Sequence, residues 1–290
     1  MFDSVLEAIE KWAREMLEGM VDSNVSTMFA DVNEKTASIA TQVSATPSGW
    51  NSGIFSLVQN LSENVILPVA GLVITYVLVF ELIRMLTERN NLHEVDTWMF
   101  FAYFFKAAIA VWLVSNTFTI VMAFFDVGQH VVSQAAGLIG AQTDIDPTAV
   151  LDAIHQKTDS MELGELAMLA VESAIVSLGM KILSVLITVV IYGRMIEIYL
   201  MCSVAPIPMA TLGNREIGQI GHNFVRAIAA LAFQGFFIIV CVGIYAVLVA
   251  GITSATDVHA ALFELAGMTI LLCFSLFKTG GLAKSVFSAH

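Results

Sequence analysis

Apolar residues recur at spacings of three and four at the start of the chain, which predicts an amphipathic helix from Phe2 to Met20. The acidic residues of this stretch fall on the opposite face. Residues 21–45 continue the pattern more weakly, with Ser, Thr, Asn and Gln between apolar positions. We expect the apolar face to pack against a partner helix or the rest of the protein. A bilayer surface is less favoured, because helices on bilayers usually carry Lys and Arg on the polar face.

A breaker-rich segment at 45–53, ATPSGWNSG, ends this pattern and predicts a linker. Its Trp50 is expected at the water interface, where amphipathic rings are enriched. A short second amphipathic stretch follows from Ile54 to Leu61. Asn51 or Ser52 is its predicted N-cap, since both side chains can accept a hydrogen bond from the first helical turn.

Five longer apolar stretches predict membrane-spanning helices, because a helix needs about 20 apolar residues to cross a hydrocarbon core of about 30 Å. They are 65–83, 99–125, 173–192, 227–252 and 258–277. With 57% hydrophobic and 13% charged residues, and a mean hydropathy of +0.80, the 290-residue chain is too apolar for an ordinary soluble domain. The predicted class is an all-α polytopic membrane protein with its amphipathic N-terminal helices outside.

A sixth apolar stretch, 195–212, contains Pro206 and Pro208, each of which lacks a backbone donor and clashes with the preceding helical turn. We therefore predict a re-entrant segment that enters from the cytoplasm and returns to it. Pro206, Pro208 and Gly213 are its predicted structural residues. A full sixth span is the alternative that the sequence leaves open.

The distribution of Lys and Arg favours this topology, because cytoplasmic loops carry an excess of basic residues. Residues 1–64 hold three basic residues against nine acidic ones, and residues 127–171 hold Lys157 with an excess of acidic residues. Both segments are therefore placed outside. The segment after the first span and the C-terminal tail carry basic residues and are placed inside. An outside N-terminus and a cytoplasmic C-terminus in the cell membrane require an odd number of crossings, which five spans provide.

This topology divides the chain into four regions by the side of the membrane. They are an extracellular amphipathic helical region at 1–64, the first two spans with a short cytoplasmic loop at 65–126, an extracellular helical loop at 127–172, and a C-terminal membrane region with the re-entrant segment and cytoplasmic tail at 173–290. The outer loop is too long for a simple connector, so we expect it to be structured. Asp146 and Pro147 are the predicted start of a helix within it.

Catalytic, cofactor-binding and metal-binding patterns are absent from the sequence, which therefore predicts a protein that is not an enzyme and needs no cofactor. GNREIG at 213–218 has the glycine spacing of a phosphate loop, but Gln219 and Ile220 stand where Lys and Ser or Thr are required. The six histidines lack the close pairing of metal ligands. The three cysteines lie in apolar runs, where they behave as small hydrophobic residues.

Charged residues in or beside the spans are the more informative positions. Lys181 lies near the middle of the span 173–192, where an ionised group costs at least ~2.5–3.5 kcal/mol on insertion scales. It faces the inside of an assembly or makes a structural contact between helices, and both interpretations stay open. Lys106 is shallower and is expected to extend towards the inner interface. Arg194 and Glu197 are three residues apart and predict a local interfacial ion pair.

Five basic residues gather on the cytoplasmic face in this topology, and anionic lipid head groups are their simplest partners. They are Arg194, Arg215, Arg226, Lys278 and Lys284.

Four short segments resemble one known family. They are APIP at 205–208, TLGNREIGQIGHNFVR at 211–226, FQGFF at 233–237 and FKTGGLAKS at 277–285. These segments are similar to TrbL-like conjugal transfer proteins, the polytopic inner-membrane subunits of type IV secretion systems. The likeness points to the branch found in integrative conjugative elements of Gram-positive bacteria. It is specific over about 170–290, and before that it rests on the arrangement of spans and loops.

The resemblance implies a channel or scaffold subunit that assembles as a homo-oligomeric ring with other type IV secretion subunits. Such a subunit helps to move single-stranded DNA and its attached protein across the membrane. Contact with DNA would be transient and not sequence-specific, because the outer segments are acidic and no basic stripe is interleaved with aromatic residues. The alternative hypothesis is a secondary transporter, in which a broken helix forms the substrate site.

Overall fold

The computed structural model describes residues 2–87, 97–140, 152, 154–155, 157–158, 160–252 and 258–289. Every regular element in these residues is a helix, which confirms the predicted all-α class. The helices are α1 Phe2–Val43, α2 Pro47–Trp50, α3 Ser52–Leu61, α4 Leu67–Thr87, α5 Thr97–Ser115, α6 Thr117–Gly140, α7 Leu163–Val204, α8 Pro206–Met209, α9 Gly218–Ile252 and α10 Val258–Val286. A π-helical turn, Ser62–Ile66, joins α3 to α4.

Within the described residues, five helices are long and apolar enough to cross a membrane. They are Ser52–Thr87, which combines α3, the π-helical turn and α4, then α5, α7, α9 and α10. Each contains or overlaps one of the five predicted spans, so the prediction of a multi-pass membrane protein is confirmed.

The predicted span 99–125 is wrong in its extent, because α5 ends at Ser115 and α6 begins at Thr117. The side chain of Asn116 donates to the carbonyl of Trp112 at 2.8 Å, and that of Thr117 donates to the carbonyl of Leu113 at 3.0 Å. Side chains that bond carbonyls one turn back compete with the backbone and often bend helices. Two adjacent polar residues therefore interrupt an apolar run that hydropathy alone treats as continuous.

The linker between α1 and α3 has one of the two predicted caps, and it contains a helical turn, α2, that was not predicted. Asn51 Oδ1 accepts a hydrogen bond from the backbone N–H of Ile54 at 3.0 Å, which makes Asn51 the N-cap of α3. The Thr46 hydroxyl oxygen accepts one from the N–H of Gly49 at 3.1 Å and caps the single turn of α2. Pro47 is at the start of that turn, where its missing donor costs no hydrogen bond.

The chain divides into two compact units. The first, unit A, contains Met1–Val43, Ser133–Ile191 and Phe237–Lys278; the second, unit B, contains Ser44–Val132, Tyr192–Phe236 and Thr279–His290. The predicted regions 1–64, 65–126, 127–172 and 173–290 concern the side of the membrane on which each segment lies, and they stay predictions.

In unit A, the two halves of α1 differ in packing. The stretch with the weaker pattern supplies buried side chains, which include Val21, Val25, Met28, Phe29, Val32 and Ile39. The strongly amphipathic start keeps most of its apolar residues exposed, with Ile9 at 55% and Trp12 at 63%. Most of the face of 2–20 is thus not covered by the described residues of the same chain, and its packing against a partner helix stays a prediction.

Two pairs of helices in unit A meet through polar contacts. Asn24 and Lys35 of α1 donate to the hydroxyls of Ser173 and Thr188 of α7, both at 3.0 Å. The numbers rise together along the two helices, so α1 and this part of α7 run parallel. The Tyr245 hydroxyl of α9 lies 2.8 Å from that of Thr269 of α10. These contacts fix the position of α1 along α7 and that of α9 along α10.

The described residues before α7 are tied to α1. The guanidinium of Arg14 donates to the carbonyls of Thr158 and Met161 at 3.1 and 2.8 Å. His155 Nε2 lies 2.8 Å from the carboxylate of Asp22. Ile154 is helical and buried. The predicted helix start at Asp146 and Pro147 lies outside the described residues.

The core of unit B forms where the end of α7 packs against the start of α9. Met195, Ile198 and Cys202 of α7 belong to one buried cluster with Ile228 and Leu231 of α9. The Tyr199 hydroxyl donates to the carbonyl of Pro47 at 2.6 Å and joins α2 to this core. Unit B therefore gathers residues from α2, α7 and α9 around the chain segment that connects α7 to α9.

Candidate functional site

The segment between α7 and α9, here called the connector, is Ala205–Ile217. The predicted re-entrant boundary near Met195 is wrong, because α7 continues without interruption through Arg194 to Val204. The predicted first arm is thus the end of α7 and not a separate element. Apolar residues on both sides of Arg194 allow one helix to extend beyond the length needed to span a bilayer.

The prolines break the chain where they were expected to. Ala205 N–H bonds back to the carbonyl of Cys202 at 3.4 Å, and Pro206 has no N–H to continue the α-helical ladder. Pro206 instead starts α8, one turn that also contains Pro208. The Ala210 N–H then closes the turn on the carbonyl of Pro206 at 3.0 Å. Pro206 and Pro208 are therefore structural residues of the connector, and its re-entrant path in the membrane stays a prediction.

Two polar side chains that the sequence analysis missed hold the rest of the connector. The Thr211 hydroxyl donates to the carbonyl of Pro208 at 2.8 Å and accepts from the Gly221 N–H at 3.0 Å. Asn214 Oδ1 accepts from the N–H groups of Glu216 and Ile217 at 2.8 and 3.1 Å. Both residues are buried. Asn is common in turns because its side chain can bond backbone N–H groups two or three residues further on, and this preference could have identified Asn214.

The glycine that this geometry requires is Gly221 and not Gly213. A Cβ atom on Gly213 would lie 3.8 Å from the Ala110 Cβ, an ordinary contact. A Cβ atom on Gly221 would lie 2.7 Å from the carbonyl oxygen of Pro208 and 2.7 Å from the Leu212 side chain. Glycine at 221 lets α9 start directly against the connector.

A charged cavity of about 180 Å³ lies where the end of the connector meets α4 and α5. Its lining includes the cations Arg84, Lys106 and Arg215, the carboxylate of Glu81, and Tyr103. The Tyr103 hydroxyl donates to the carbonyl of Leu78 at 2.8 Å and fixes the wall between α4 and α5. Cations outnumber carboxylates in this lining, so the cavity suits an anionic group.

Arg84 and Lys106 differ in how they meet this cavity. Arg84 pairs with Glu216 of the connector at 3.5 Å, which joins the end of α4 to the connector. Lys106 is exposed, and its extension towards the inner interface stays a prediction. Both charges belong to the one region where α4, α5 and the connector come together.

Arg194 is buried, with 6% of its surface exposed, so its assignment as a lipid contact is wrong. Its Nη2 donates to the carbonyl of Leu231 at 3.4 Å. Its Nε and Nη1 atoms make no hydrogen bond with the described residues. The predicted ion pair between Arg194 and Glu197 is not formed in the described residues. Glu197 instead accepts a hydrogen bond from the ammonium group of Lys284 of α10 at 3.0 Å.

The remaining predicted charges lie on the surface. Lys181, Arg215, Arg226 and Lys278 are exposed. Lys284 is half-exposed in its pair with Glu197. Among the described residues, no group of three or more His, Cys, Asp or Glu side chains could hold a metal ion.

A protein-family model decides the class of this membrane protein. Residues 32–206, more than half of the chain, match the model described as TrbL/VirB6 plasmid conjugal transfer like protein. The chain belongs to the TrbL/VirB6 family. Neither a curated protein nor a solved structure matches it.

The TrbL/VirB6 match extends from the second half of α1 to Pro206 at the start of α8. It confirms the predicted family. Three of the four segments on which the sequence resemblance was based, 211–226, 233–237 and 277–285, lie beyond it, and the fourth, 205–208, lies at its end. The family is therefore shown mostly by the part of the chain for which sequence analysis relied on the arrangement of spans.

Membership in the TrbL/VirB6 family makes the chain a membrane subunit related to conjugal transfer and type IV secretion. The family is a structural part of the conjugation machinery, and its members associate with other components of that machinery. The apolar helices and the connector are thus features of a protein that acts within an assembly.

Proposed function

We propose that this TrbL/VirB6 protein is a non-enzymatic channel or scaffold subunit of a conjugative type IV secretion machine. It forms a homo-oligomeric ring and helps single-stranded DNA, with its bound protein, to cross the cell membrane. On the likeness of 211–226 we assign it to an integrative conjugative element of a Gram-positive bacterium. Contact with DNA is transient, since a net charge of -12 repels a polyanion.

The family match carries this proposal, and the exposed apolar surface supports it. Only 6% of the most apolar 18-residue stretch of α5 is buried. The corresponding share in Ser52–Thr87 is 17%. Surfaces of this kind contact lipid or other protein subunits. A subunit of a larger membrane assembly needs both kinds of contact.

Deletion of the gene from its native conjugative element tests the function. Transfer of the element in a mating assay should fall below detection, and expression of the wild-type chain in trans should restore it. Growth of the donor and its uptake of small solutes should not change. Transfer at the wild-type frequency after deletion would exclude this role, whereas a solute uptake defect would favour the transporter hypothesis.

We propose that the N-terminus lies outside and the C-terminus in the cytoplasm. The basis is the charge distribution, with acidic segments before the first span and between α6 and α7, and basic residues at the end of α10. The connector, with Arg215, then lies on the cytoplasmic side.

Single cysteines test this orientation in a variant that lacks Cys202, Cys241 and Cys273. A membrane-impermeant maleimide added to intact cells should label cysteine at Asp152 and not at Lys284. Both positions are exposed, so accessibility within the protein does not limit labelling. Permeabilised cells, the control, should label at both. Labelling of position 284 in intact cells would reverse the orientation.

We further propose that the cavity lined by Arg84, Lys106 and Arg215 holds an anionic phospholipid head group. Several cations around a concave site bind a phosphate together, and they bind it more tightly than one exposed cation does. The exposed cations Arg226, Lys278 and Lys284 would contact the surrounding lipid surface less specifically.

Arg215→Ala and its matched control Arg226→Ala separate the cavity from the surface. Purification from membranes that contain phosphatidylglycerol, followed by native mass spectrometry, should show less bound phosphatidylglycerol for Arg215→Ala. Arg226→Ala should retain the wild-type amount. Equal retention by both variants would show that the cavity does not select the head group.

A further inference from the structure

One face of α7 in unit A is an exposed apolar stripe. It consists of Met168, Val171, Ile175, Leu178, Ile182 and Val185, each between 57% and 65% exposed. These residues alternate at spacings of three and four. Apolar residues with this spacing form the face along which one helix packs against another. Lys181 is exposed at the edge of this stripe. Lipid could cover the aliphatic residues but not a charge near the middle of a span.

A second exposed apolar stripe lies on α10 in the same unit. Its members are Phe263, Ile270, Leu271 and Phe274, between 43% and 65% exposed. Glu264 is exposed at the edge of this stripe, near the start of the helix. Each of the two stripes therefore carries one charge, and the two charges have opposite signs.

Lys181 and Glu264 have no ion-pair or hydrogen-bond partner in the described part of the chain. Their directions explain why they do not pair with each other. His259 of α10 contacts Glu172 of α7. Lys181 is nine residues beyond Glu172 and Glu264 is five beyond His259, which are rotations of about 180° and about 140° on a helix. Both charges thus point away from the contact between α7 and α10.

The two charges nevertheless lie at similar heights. The contact of Glu172 with His259, and the small cavity that Met180 and Thr269 both line, show that the numbers rise together along α7 and α10. Counted from that contact, Lys181 is about 6 Å further along than Glu264. A lysine side chain on a helix leans towards the helix N-terminus, and hence towards the level of Glu264.

We infer that the α7 stripe of one copy of this chain packs against the α10 stripe of the next, with Lys181 bonded to Glu264 of that copy. Because the two stripes are different surfaces, the contact is head-to-tail and can close into a ring. The pair removes the cost of two isolated charges in the apolar region and selects the register of the helices. This inference rests on the proposed function only for the existence of a homo-oligomer.

Charge reversal tests the pair directly. Lys181→Glu and Glu264→Lys should each weaken self-association of the purified full-length chain at least ~10-fold, because like charges then meet in an apolar contact. The double variant should restore association to near the wild-type level. Mass photometry across a range of protein concentrations in mild detergent measures the change. Lys11→Glu is the matched control. In the described part of the chain Lys11 pairs only with the exposed Glu15, so this variant should leave association unchanged.

Neutral substitutions keep the test informative if a reversed charge prevents folding. Differently tagged chains with Lys181→Cys or Glu264→Cys, and no other cysteine, should give only the mixed dimer with a short bis-maleimide. Dimers joined at 181 on both chains would overturn the head-to-tail contact. The contact would also be overturned if the double reversal failed to restore association in a folded protein. Rescue of Lys181→Glu by Asp31→Lys would overturn it too, because Lys181 would then pair with α1 of its own chain.

These outcomes are separate from those of the mating assay. A double reversal that fails while transfer of the element persists would remove the interface and leave the function. Normal transfer after gene deletion would remove the function and leave the measured association as it is.

Discussion

Replacement of Gly128 by alanine should lower the free energy of unfolding by about 1–3 kcal/mol, the usual cost of added volume in a packed site. A Cβ atom at position 128 would lie 2.6 Å from the carbonyl oxygen of Ala232 and 3.1 Å from its Cβ. The obstacle is the backbone of α9, which cannot turn aside as a flexible side chain would. Helices α6 and α9 would have to separate where Gly128 now lets their backbones touch, as small residues do between membrane helices.

Gly137, on the same helix, is the matched control, because a Cβ there would meet nothing within 4 Å. Gly137→Ala should be neutral or stabilise by up to ~1 kcal/mol, since alanine is the better helix former. The thermal unfolding midpoint in detergent measures both variants. An unfolding midpoint of Gly128→Ala at or above that of Gly137→Ala would show that α6 and α9 are not in this close contact.

Replacement of Arg194 by methionine should raise the free energy of unfolding by about 1–4 kcal/mol, the range found when buried ion pairs give way to well-packed apolar residues of similar volume. Arg194 is buried and makes one hydrogen bond with the described residues, of 3.4 Å, to the carbonyl of Leu231. A single long bond recovers little of the cost of removing a guanidinium from water. Methionine fills similar space and has no donor left without an acceptor.

The control is Arg226→Met, which removes an exposed cation from α9 and should change stability by less than ~0.5 kcal/mol. Chemical unfolding of both variants in mixed micelles provides the comparison. Destabilisation of Arg194→Met by more than its control would mean that the guanidinium is well bonded in the folded protein. The charge of Arg194 would then stabilise the folded protein instead of lowering its free energy of unfolding.

The number of spans and the approximate positions of most of them followed from the sequence, because hydropathy over twenty residues is a local property that neighbours hardly alter. The cap at Asn51 and the break at Pro206 were predictable for the same reason. A side-chain acceptor before a helix and a missing backbone N–H act within one turn. The burial of Arg194 was not predictable in this way, because it depends on packing against α9, which lies more than 20 residues further along the chain.

Glycine and charge show the same division between local and long-range causes. Gly213 looked structural because it begins a loop-like sequence, yet Gly221 and Gly128 are the positions where another backbone comes within 3.0 Å of a Cβ. Glu197 looked paired with Arg194 because they are three residues apart, but Lys284 bonds it from α10. Spacing along one helix cannot identify a partner on another.

By itself, the sequence determined an all-α multi-pass membrane protein with a proline break after its third span and the family to which it belongs. These depend on composition, on runs of apolar residues and on local backbone chemistry. Only the tertiary structure decided that α7 continues to Val204, that Arg194 turns inwards, and that Lys181 and Glu264 point outwards from different helices. Such features depend on which helix faces meet, and that is set by packing between segments far apart in the chain.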